Sequence, residues 1–315
     1  MTKKTQTEFI KQQALDLGFD ACGITKAEFL KEDSVFFSRW IERGFQAKMS
    51  YLERNAEKRF NPNAMVEGCK SVIVVMMNYF PSELQKISYP KIAKYAYSKI
   101  DYHTVIREKL NELEKRIVNQ FGDECFNPDF QHLFVDSAPV LERRWAEKAG
   151  LGWIGKNKMV IHPQFGSHFF LGELFINIDL EYDSPIKNRC GTCNKCVESC
   201  PTNALSIEFG LNSQKCISYQ TIEHKQDIVV EIQKKLSGYA FGCDICNDVC
   251  PWNKSKSKSH GENGLKTAEE IISWSEKDWE KLSAEKFTEV FRDSAIKRAG
   301  FDKLKHNINF ALNNL

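Results

Sequence analysis

The first half of the chain mixes apolar residues at helical spacing with short unbroken apolar runs. Residues 7–17 place apolar side chains at helical spacing before Gly18, which predicts a helix that ends there. Residues 71–79 (SVIVVMMNY) form a continuous, largely β-branched run, which is typical of a buried central strand. A charged amphipathic stretch over 103–121 predicts a long helix, and residues 168–178 predict another strand. The pattern therefore predicts mixed helices and strands.

Shorter segments complete this picture. We predict further strands at 19–24, 133–136 and 158–162, and further helices at 28–43, 48–58 and 139–150. Residues 253–264 (NKSKSKSHGENG) are polar without apolar periodicity and predict a linker or exposed loop. The last fifty or so residues carry spaced aromatic and aliphatic side chains among charges, which fits two or three amphipathic helices.

Composition sets broad limits on the class of protein. The chain has 315 residues, 42% hydrophobic and 27% charged, with a formal net charge of +2, as in ordinary globular proteins. It contains no run of 18 apolar residues, so we expect no transmembrane helix. The N-terminus (MTKKTQTEF) shows neither an apolar secretory stretch nor a twin-arginine leader. We therefore expect a cytoplasmic protein.

Eight of the eleven cysteines lie between residues 190 and 250. The two runs are Cys190-x2-Cys193-x2-Cys196-x3-Cys200-Pro201 and Cys243-x2-Cys246-x3-Cys250-Pro251. The first run is the bacterial ferredoxin signature. The second lacks its first cysteine, because Ala240 occupies that position, and Cys216 is the spare thiol that can replace it. Eight thiolates in this arrangement predict two [4Fe–4S] clusters.

The signature also predicts how the ligands divide, because the last cysteine of each run crosses to the other cluster. One cluster is predicted to bind Cys190, Cys193, Cys196 and Cys250, and the other Cys200, Cys216, Cys243 and Cys246. Zinc and disulfides are disfavoured by the spacing and by the missing secretory signal. The remaining cysteines, Cys22, Cys69 and Cys125, stand singly in apolar or loop contexts and are interpreted as packing residues.

About 180 residues precede the clusters, which favours an enzyme with an internal electron relay over a simple carrier. No dinucleotide or phosphate-loop motif is present in them. The densest chemistry outside the cysteines is in residues 135–175, where Asp136 ends a predicted strand. An apolar pocket would raise the pKa of that carboxyl and make it a proton donor. A turn or capping role is an equally good interpretation of Asp136.

Together these segments resemble the epoxyqueuosine reductase family over nearly the whole chain. The motifs that carry the resemblance are residues 135–157 (VDSAPVLERRWAEKAGLGWIGKN), 169–174 (FFLGEL), 190–201, 216–224 (CISYQTIEH), 242–253 (GCDICNDVCPWN), 101–103 (DYH) and 291–298 (FRDSAIKR). The resemblance implies an oxidoreductase that reduces epoxyqueuosine to queuosine at the wobble position (34) of tRNA, the last step of queuosine biosynthesis. It implies cob(I)alamin as the reductant, supplied with electrons by the two clusters.

The resemblance also assigns residues. Asp136 matches the catalytic proton donor. The implied cobalamin contacts are Arg59, Asp136, Val160, Leu171, Ser218, Lys225, Cys243 and Asp244. The implied partners are a tRNA with a GUN anticodon and an external low-potential electron donor, with no membrane. Lysine and arginine residues of the linker and tail, among them Arg298, are candidate phosphate contacts.

These inferences give an α+β fold in three parts. We predict an α/β cobalamin-binding and catalytic domain over 1–182, a ferredoxin-like two-cluster domain over 183–260, and a short helical tail over 261–315 that resembles a truncated HEAT-like segment. Two alternatives stay open. One is a related cobalamin and iron–sulfur reductase of small molecules, similar to reductive dehalogenases, and the other is an electron-transfer module.

Overall fold

A four-stranded antiparallel sheet with the order β1-β2-β7-β4 forms the centre of the N-terminal part. The structure is a computed structural model that describes residues 1–86 and 89–313. Its strands are β1 (Ala21–Lys26), β2 (Ser71–Asn78), β3 (Lys91–Ile92), β4 (Leu133–Phe134), β5 (Trp153–Ile154), β6 (Val160–Ile161), β7 (Phe169–Ile176), β8 (Leu205–Ser206), β9 (Gly210–Leu211) and β10 (Tyr239–Phe241). The apolar runs at 71–79 and 168–178 therefore form the two central strands, as predicted.

The two central strands are apolar along their whole length because both faces of the sheet are covered. Ile73, Val75 and Met77 lie in one hydrophobic core with α1 (Lys3–Asp16) and α5 (Tyr102–Phe121). The alternating residues of β2 lie in a second core with α6 (Glu142–Lys148). Period-two alternation across a strand produces this division.

The remaining helices are mostly short. They are α2 (Lys31–Glu42), α3 (Ala56–Phe60), α4 (Pro62–Met65), α7 (Lys195–Glu198), α8 (Ile217–Ile222), α9 (Val230–Gln233), α10 (Ile245–Asp248), α11 (Pro251–Lys256), α12 (Glu269–Ser273), α13 (Glu276–Glu280), α14 (Ala284–Phe291) and α15 (Phe301–Asn313). The observed architecture is α+β, as predicted. Among the described helices, none is both long and apolar enough to cross a membrane.

Several predictions of local structure were wrong. The helix predicted over 48–58 is instead a short 3-10 helix at Ser50–Leu52 followed by α3. The helix predicted from Pro139 begins at Glu142, because tight turns occupy the preceding residues. The linker predicted from residue 253 begins later, since α11 continues from the second Cys-Pro turn to Lys256. Pro251 stands at the first turn of α11, where proline needs no hydrogen-bond partner. Asn253, predicted to be exposed, is only 4% exposed.

The C-terminal tail packs on both other parts of the chain. One hydrophobic core contains Ile92 and Phe241 together with Trp279, Phe291 and Ile308 of the tail. Asn307 at the centre of this core donates its side-chain N–H groups to the carbonyl oxygens of Thr221 and Ala240, at 2.9 Å each. The three-part division at 182 and 260 stays a prediction, but packing across the second boundary is continuous.

Candidate active site

A cavity of about 390 Å³ opens where the sheet meets the cysteine segment. Three groups of residues line it. One is acidic and basic (Asp136, Glu142, Arg143, Lys158, Asp244), one is largely aromatic (Tyr79, Tyr95, Tyr102, Phe169, Phe170, Leu171), and one comes from the cysteine segment (Cys200, Cys216, Ser218, Cys243, Cys246). The cavity therefore brings the predicted proton donor and four predicted cluster ligands to the same space.

Asp136 lies two residues beyond β4 and adopts a left-handed backbone conformation, with φ of 54°. Aspartate is one of the few non-glycine residues that enter this region at modest cost. The turn explains why the strand predicted to reach Asp136 stops at Phe134. The backbone N–H of Asp136 donates to a carboxyl oxygen of Glu142, which is the first residue of α6. The side chain of Asp136 is 46% exposed, and that exposure is to the cavity.

His103 and Arg298 hold the Asp136 carboxylate from two sides. His103 Nε2 lies 3.2 Å from Asp136 Oδ2, and Arg298 Nη1 donates to the same oxygen at 3.2 Å. Asp101 caps the N-terminus of α5 and lies 2.6 Å from His103 Nδ1, which fixes the imidazole ring. Arg298 Nη2 also lies 2.9 Å from His103 Nε2. An arginine of the tail thereby completes a site built mainly on the sheet.

The charge state of Asp136 differs from the sequence-based expectation. Burial raises its pKa, but the hydrogen bond and charge of His103 and the charge of Arg298 outweigh burial and hold the pKa below its ordinary value. The expected upward shift was therefore wrong. Burial lowers the pKa of His103, yet its bonds to Asp101 and Asp136 raise it above the ordinary value overall. Asp136 and His103 thus form an ion pair that shares one transferable proton.

Two other acids near Asp136 shift in the opposite direction. Burial, reinforced by the negative charge of Asp136, raises the pKa of Glu142 to about 8. Burial also raises the pKa of Glu173 well above its ordinary value, and the charges of Glu142 and Asp136 add to this effect. At neutral pH both are therefore largely carboxylic acids, beside an aspartate that is ionised.

Aromatic rings form the wall beside this charged group. The rings of Tyr102 and Phe170 stack with centroids 3.9 Å apart and planes 3° from parallel. Tyr79 adds a third ring, 4.6 Å from Phe170. Such a wall offers a flat apolar surface to a planar ligand next to a small number of polar groups, which is typical of cofactor sites.

The cysteines of the two runs lie in two parts of the structure. Cys200, Cys216, Cys243 and Cys246 line the cavity, whereas Cys250 lies beside Cys190 in a small core under Trp153 and Trp252. Burial raises the pKa of Cys250, and the charges of Cys190 and Cys193 add to it. Burial likewise raises the pKa of Cys246, and Cys216 adds most among the thiols. These proximities fit the crossed division of ligands, which stays a prediction.

The replacement of the missing cysteine also has a structural reason. Ala240 is fully buried in β10, inside the core that the tail shares, so a thiol there would point away from a cluster. Cys216 immediately precedes α8 and lies in electrostatic reach of Cys200.

The predicted cobalamin contacts fall into two sets. Asp136, Leu171, Ser218, Cys243 and Asp244 line the cavity. Arg59, Val160 and Lys225 are not on its wall. The Arg59 guanidinium is buried on the carbonyl oxygens of Tyr51 and Leu52, at 3.0 and 3.1 Å. Val160 is buried in β6 within the second core, and Lys225 is exposed beyond α8. Both sets stay predictions from the resemblance, and the cavity geometry supports the first.

Comparisons with known proteins agree with this geometry. Residues 59–137 match the family model described as "Epoxyqueuosine reductase QueG, DUF1730", and residues 189–253 match a 4Fe-4S double cluster binding domain. An epoxyqueuosine reductase from Cellulophaga algicola is 43% identical over 98% of this chain and 99% of its own. The chain belongs to the epoxyqueuosine reductase family. Its cofactors are accordingly two [4Fe–4S] clusters and cobalamin.

Two solved epoxyqueuosine reductase structures are similar to the whole fold. One, in complex with an epoxyqueuosine-modified tRNA-Tyr stem loop, has a TM-score of 0.86 and 30% identity over 98% of this chain and 81% of its own. The other, from Bacillus subtilis, has the same TM-score and identity over 98% and 82%, and its aspartate-bearing catalytic loop is swung out of the active site.

The residues of the cavity fit the cofactors of this family. Four thiols on the cavity wall can hold one cluster directly beside a bound corrin, and the aromatic wall can face a flat macrocycle. Cys200 also accepts a hydrogen bond from the backbone N–H of Ala204 at 3.3 Å, a contact that stabilises a ligating sulfur. The donor set and the wall thus match an iron–sulfur cluster and a corrin placed side by side.

Sequence reasoning missed several members of the site. His103 and Arg298 lie inside motifs 101–103 and 291–298, but their meeting at Asp136 joins positions that are 195 residues apart. Arg298 was predicted as a phosphate contact, whereas the structure places it on Asp136. Glu142 and Glu173 lie inside motifs 135–157 and 169–174. The sequence marked these four residues through their membership of the motifs, but the motifs did not indicate what each residue does.

Proposed function

We propose that this protein reduces epoxyqueuosine to queuosine at the wobble position of a tRNA with a GUN anticodon, with Asp136 as the proton donor. One observation carries the proposal. Asp136 lines one cavity with Cys200, Cys216, Cys243 and Cys246, so a proton source and an electron source face the same substrate. These cysteines are the predicted ligands of the inner cluster, and the other predicted cluster is the outer one. The family to which the chain belongs supplies the reaction class.

The reaction sets clear demands on the site. Removing the epoxide oxygen as water takes two electrons and two protons. Bound cobalamin supplies a strongly reducing metal centre, and clusters in the lower part of their potential range, which reaches about −700 mV, can supply it with electrons. The protein must then orient the substrate, exclude water and deliver protons at a defined atom.

The contacts of Asp136 allow its proton to sit on either of two atoms. When the proton is on His103 Nε2, the ring donates to the Asp136 carboxylate across 3.2 Å. When it has moved to Asp136, Nε2 becomes an acceptor for Arg298 Nη2 at 2.9 Å. Each state thus has its own hydrogen bond at Nε2, and Arg298 Nη1 can donate to the Asp136 carboxyl oxygen in both. Asp136 can then protonate the leaving oxygen, while Asp101 holds the imidazole in place.

We further propose that electrons enter at the outer cluster. The loop that carries Cys190 and Cys193 is at the surface, and the position of a Cβ on Gly191 is open space. The inner cysteines line the cavity instead, which orders the route from surface to substrate. Lys156 donates to the Gly191 carbonyl oxygen, and Lys158 lies within electrostatic reach of Cys196. Lys187, Arg189 and Lys195 add positive charge within this stretch of sequence, and Glu198 adds a negative charge. This positive charge fits an acidic, low-potential electron carrier. We propose that this protein and its electron carrier are both cytoplasmic.

A basic group beside the cavity is a candidate site for tRNA phosphates. The charges of Lys303 and Lys48, in addition to burial, lower the pKa of His224, and Lys225 in turn lies within electrostatic reach of Lys303. Asp227 is the acid in this group. The group lies at the end of α8, whose first turn lines the cavity through Ser218. The solved relative that holds an epoxyqueuosine-modified stem loop supports tRNA as the partner.

The two alternative functions lose support. An electron-transfer module needs no substrate cavity beside a cluster. The cavity of this protein contains Asp136, whose carboxylate is held by His103 and Arg298. The small-molecule reductase is disfavoured because relatives named epoxyqueuosine reductase match almost the entire chain. The tRNA substrate therefore fits best.

The proposal is tested with protein that is reconstituted anaerobically with iron, sulfide and cobalamin. Reduced protein and epoxyqueuosine-containing tRNA should give queuosine, measured by mass spectrometry of digested nucleosides. Asp136→Asn should bind both cofactors and lose about 10²- to 10⁴-fold in turnover, because an amide cannot donate the proton. Asp129→Asn, in an exposed loop, is the matched control and should be unchanged. Wild-type protein that leaves epoxyqueuosine intact would refute the function, and a fully active Asp136→Asn would refute the role of Asp136.

A further inference from the structure

The site holds more acids than one proton transfer requires. We propose that Glu142 stores the second proton of the reaction and passes it to Asp136 across the cavity, with Glu173 as a buried acid behind it. The inference rests on the proposed function, because only a two-proton reduction needs a second stored proton. It adds a role to a residue that does not contact the leaving oxygen itself.

The balance of the reaction shows why a store is useful. The first proton goes from the His103–Asp136 pair to the epoxide oxygen as the first C–O bond opens. That oxygen leaves as water when the second C–O bond breaks, which takes a second proton, and the reduced cofactors supply both electrons. A proton that moves from the Glu142 carboxylic acid to the Asp136 carboxylate recharges the donor inside the closed site. The His103–Asp136 pair and Glu142 have then each lost one proton, and both are reprotonated from solvent between turnovers.

The position of Glu142 suits this transfer. It is the first residue of α6, its side chain lines the same cavity as Asp136, and one carboxyl oxygen accepts the backbone N–H of Asp136. The two residues therefore lie six positions apart in the same segment, and their carboxyl groups line the same cavity. A proton can cross between them directly or through a single water in the cavity.

The charges around Glu142 leave it without a paired cation. The charged and titratable groups that act on it are Asp136, His103, Arg143, Tyr102 and Glu173. His103 and Arg298 are both engaged by Asp136, and Arg143 Nη1 donates to the carbonyl oxygen of Lys158 at 2.7 Å. Among the described residues, no ion pair includes Glu142. A second carboxylate beside ionised Asp136 would be repelled, so the acid form is favoured.

Glu173 is a second buried acid, within electrostatic reach of Glu142. It is 0% exposed, and neither carboxyl oxygen has a hydrogen-bond partner among the described residues. It lies on β7 opposite Phe134, on the face of the sheet that α6 covers. An unpaired buried carboxylate is very costly, so Glu173 carries a proton. The three acids thus form a series. Glu173 is buried and neutral, Glu142 lies at the cavity wall, and Asp136 is ionised.

The shifts in acidity agree with this order. The pKa of Glu142, raised to about 8, lies near neutral pH, whereas the pKa of Asp136 is lowered. Acids whose pKa values are pushed apart at one site divide the roles of proton donor and proton acceptor. An acid that titrates near the working pH can give up its proton and regain it in every turnover.

The test compares Glu142→Gln with the wild type. Glutamine keeps the shape and the oxygen that accepts the Asp136 N–H, but it cannot store a proton. Infrared spectra across a pH titration should show the carbonyl stretch of a carboxylic acid that disappears as pH rises through about 8. The stretch should be absent from Glu142→Gln and retained in Glu8→Gln, an exposed control on α1. This measurement does not depend on turnover.

Kinetics on pre-reduced, cofactor-loaded protein supply the second readout. Wild-type single turnover should slow as pH rises past about 8, and Glu142→Gln should be about 10²-fold slower without that decline. A Glu142→Gln variant with the wild-type rate and pH profile would overturn the proposal, as would spectra without a titrating acid. If the wild type does not convert epoxyqueuosine but the infrared signal titrates as expected, the proposed function fails while proton storage at Glu142 stands.

Discussion

At the scale of single residues, identical functional groups acquire opposite properties from their neighbours. Asp136 and Glu142 are joined by a hydrogen bond, yet one is held as a carboxylate and the other as an acid. The difference comes from His103 and Arg298, which both point at Asp136. Burial alone would raise both pKa values. Two cations aimed at one of the acids therefore decide which group is ionised.

This asymmetry predicts a pH-dependent contribution of Glu142 to stability. A carboxyl whose folded pKa is raised binds its proton more tightly in the folded state. Its contribution is fully present below the unfolded pKa of about 4.5 and is lost as pH rises towards about 8. The limiting slope is about 1.4 kcal/mol per pH unit.

Melting temperatures of matched cofactor-loaded samples check this expectation. The difference between wild type and Glu142→Gln should shift in favour of the variant between about pH 6 and about pH 8. Glu8→Gln should track the wild type throughout, because Glu8 is exposed. A wild-type minus Glu142→Gln difference that is constant over this range would contradict an acid that titrates there.

At the scale of elements, the second Cys-Pro turn and α11 connect the cluster segment to the sheet. Asn253 of α11 accepts the backbone N–H of Ser167 at 2.7 Å and donates to the Asn247 carbonyl at 2.9 Å. A Cβ on Gly166 would come 2.4 Å from the Asn253 side-chain oxygen, and Gly166 has φ of 71°, so glycine is needed there. The loop before β7 is thereby fixed against the helix that follows the outer cluster's last ligand, Cys250.

Asn253→Ala should therefore destabilise the protein and loosen the clusters. Removing the side chain leaves buried donors and acceptors unpaired, which costs about 1–3 kcal/mol each. We expect a lower melting temperature and faster loss of iron to a chelator. Ser255→Ala on the exposed side of the same helix is the control and should behave as the wild type. Equal stability and iron retention in both variants would show that Asn253 does not connect these elements.

At the scale of the whole molecule, the tail is part of the active site as well as of the core. Phe291 and Ile308 pack with Ile92 and Phe241, and this packing positions Arg298 on Asp136 from the far end of the chain. Lys303 lies on the helix that follows, α15, next to Lys225. One tail segment thus supports the proposed proton donor and contributes to the proposed tRNA surface.

Binding of tRNA should depend on the basic group beside α8. Lys48→Glu combined with Lys225→Glu should weaken binding and lower the slope of log affinity against log salt by about 0.7–0.9 per lost phosphate contact. Both side chains are exposed, so we expect normal folding and iron content. Cobalamin content is measured alongside, because Lys225 is also a predicted cobalamin contact. Filter binding at several salt concentrations measures the slope. A charge-matched double variant, Lys4→Glu with Lys281→Glu, should leave it unchanged; equal slopes for the two pairs would place the tRNA elsewhere.

The sequence by itself determined the features that depend on local spacing and side-chain chemistry. Continuous apolar residues at 71–79 specify a strand buried on both faces, and the two cysteine runs specify the clusters, because three close thiols and a Cys-Pro turn are a local requirement of the cube. Only the tertiary structure decided which acids are ionised and where the site is completed. Asp136, His103 and Arg298 meet through packing between distant segments. A pKa depends on burial and on charges within a few ångströms, and neither quantity is a property of neighbouring positions in the chain.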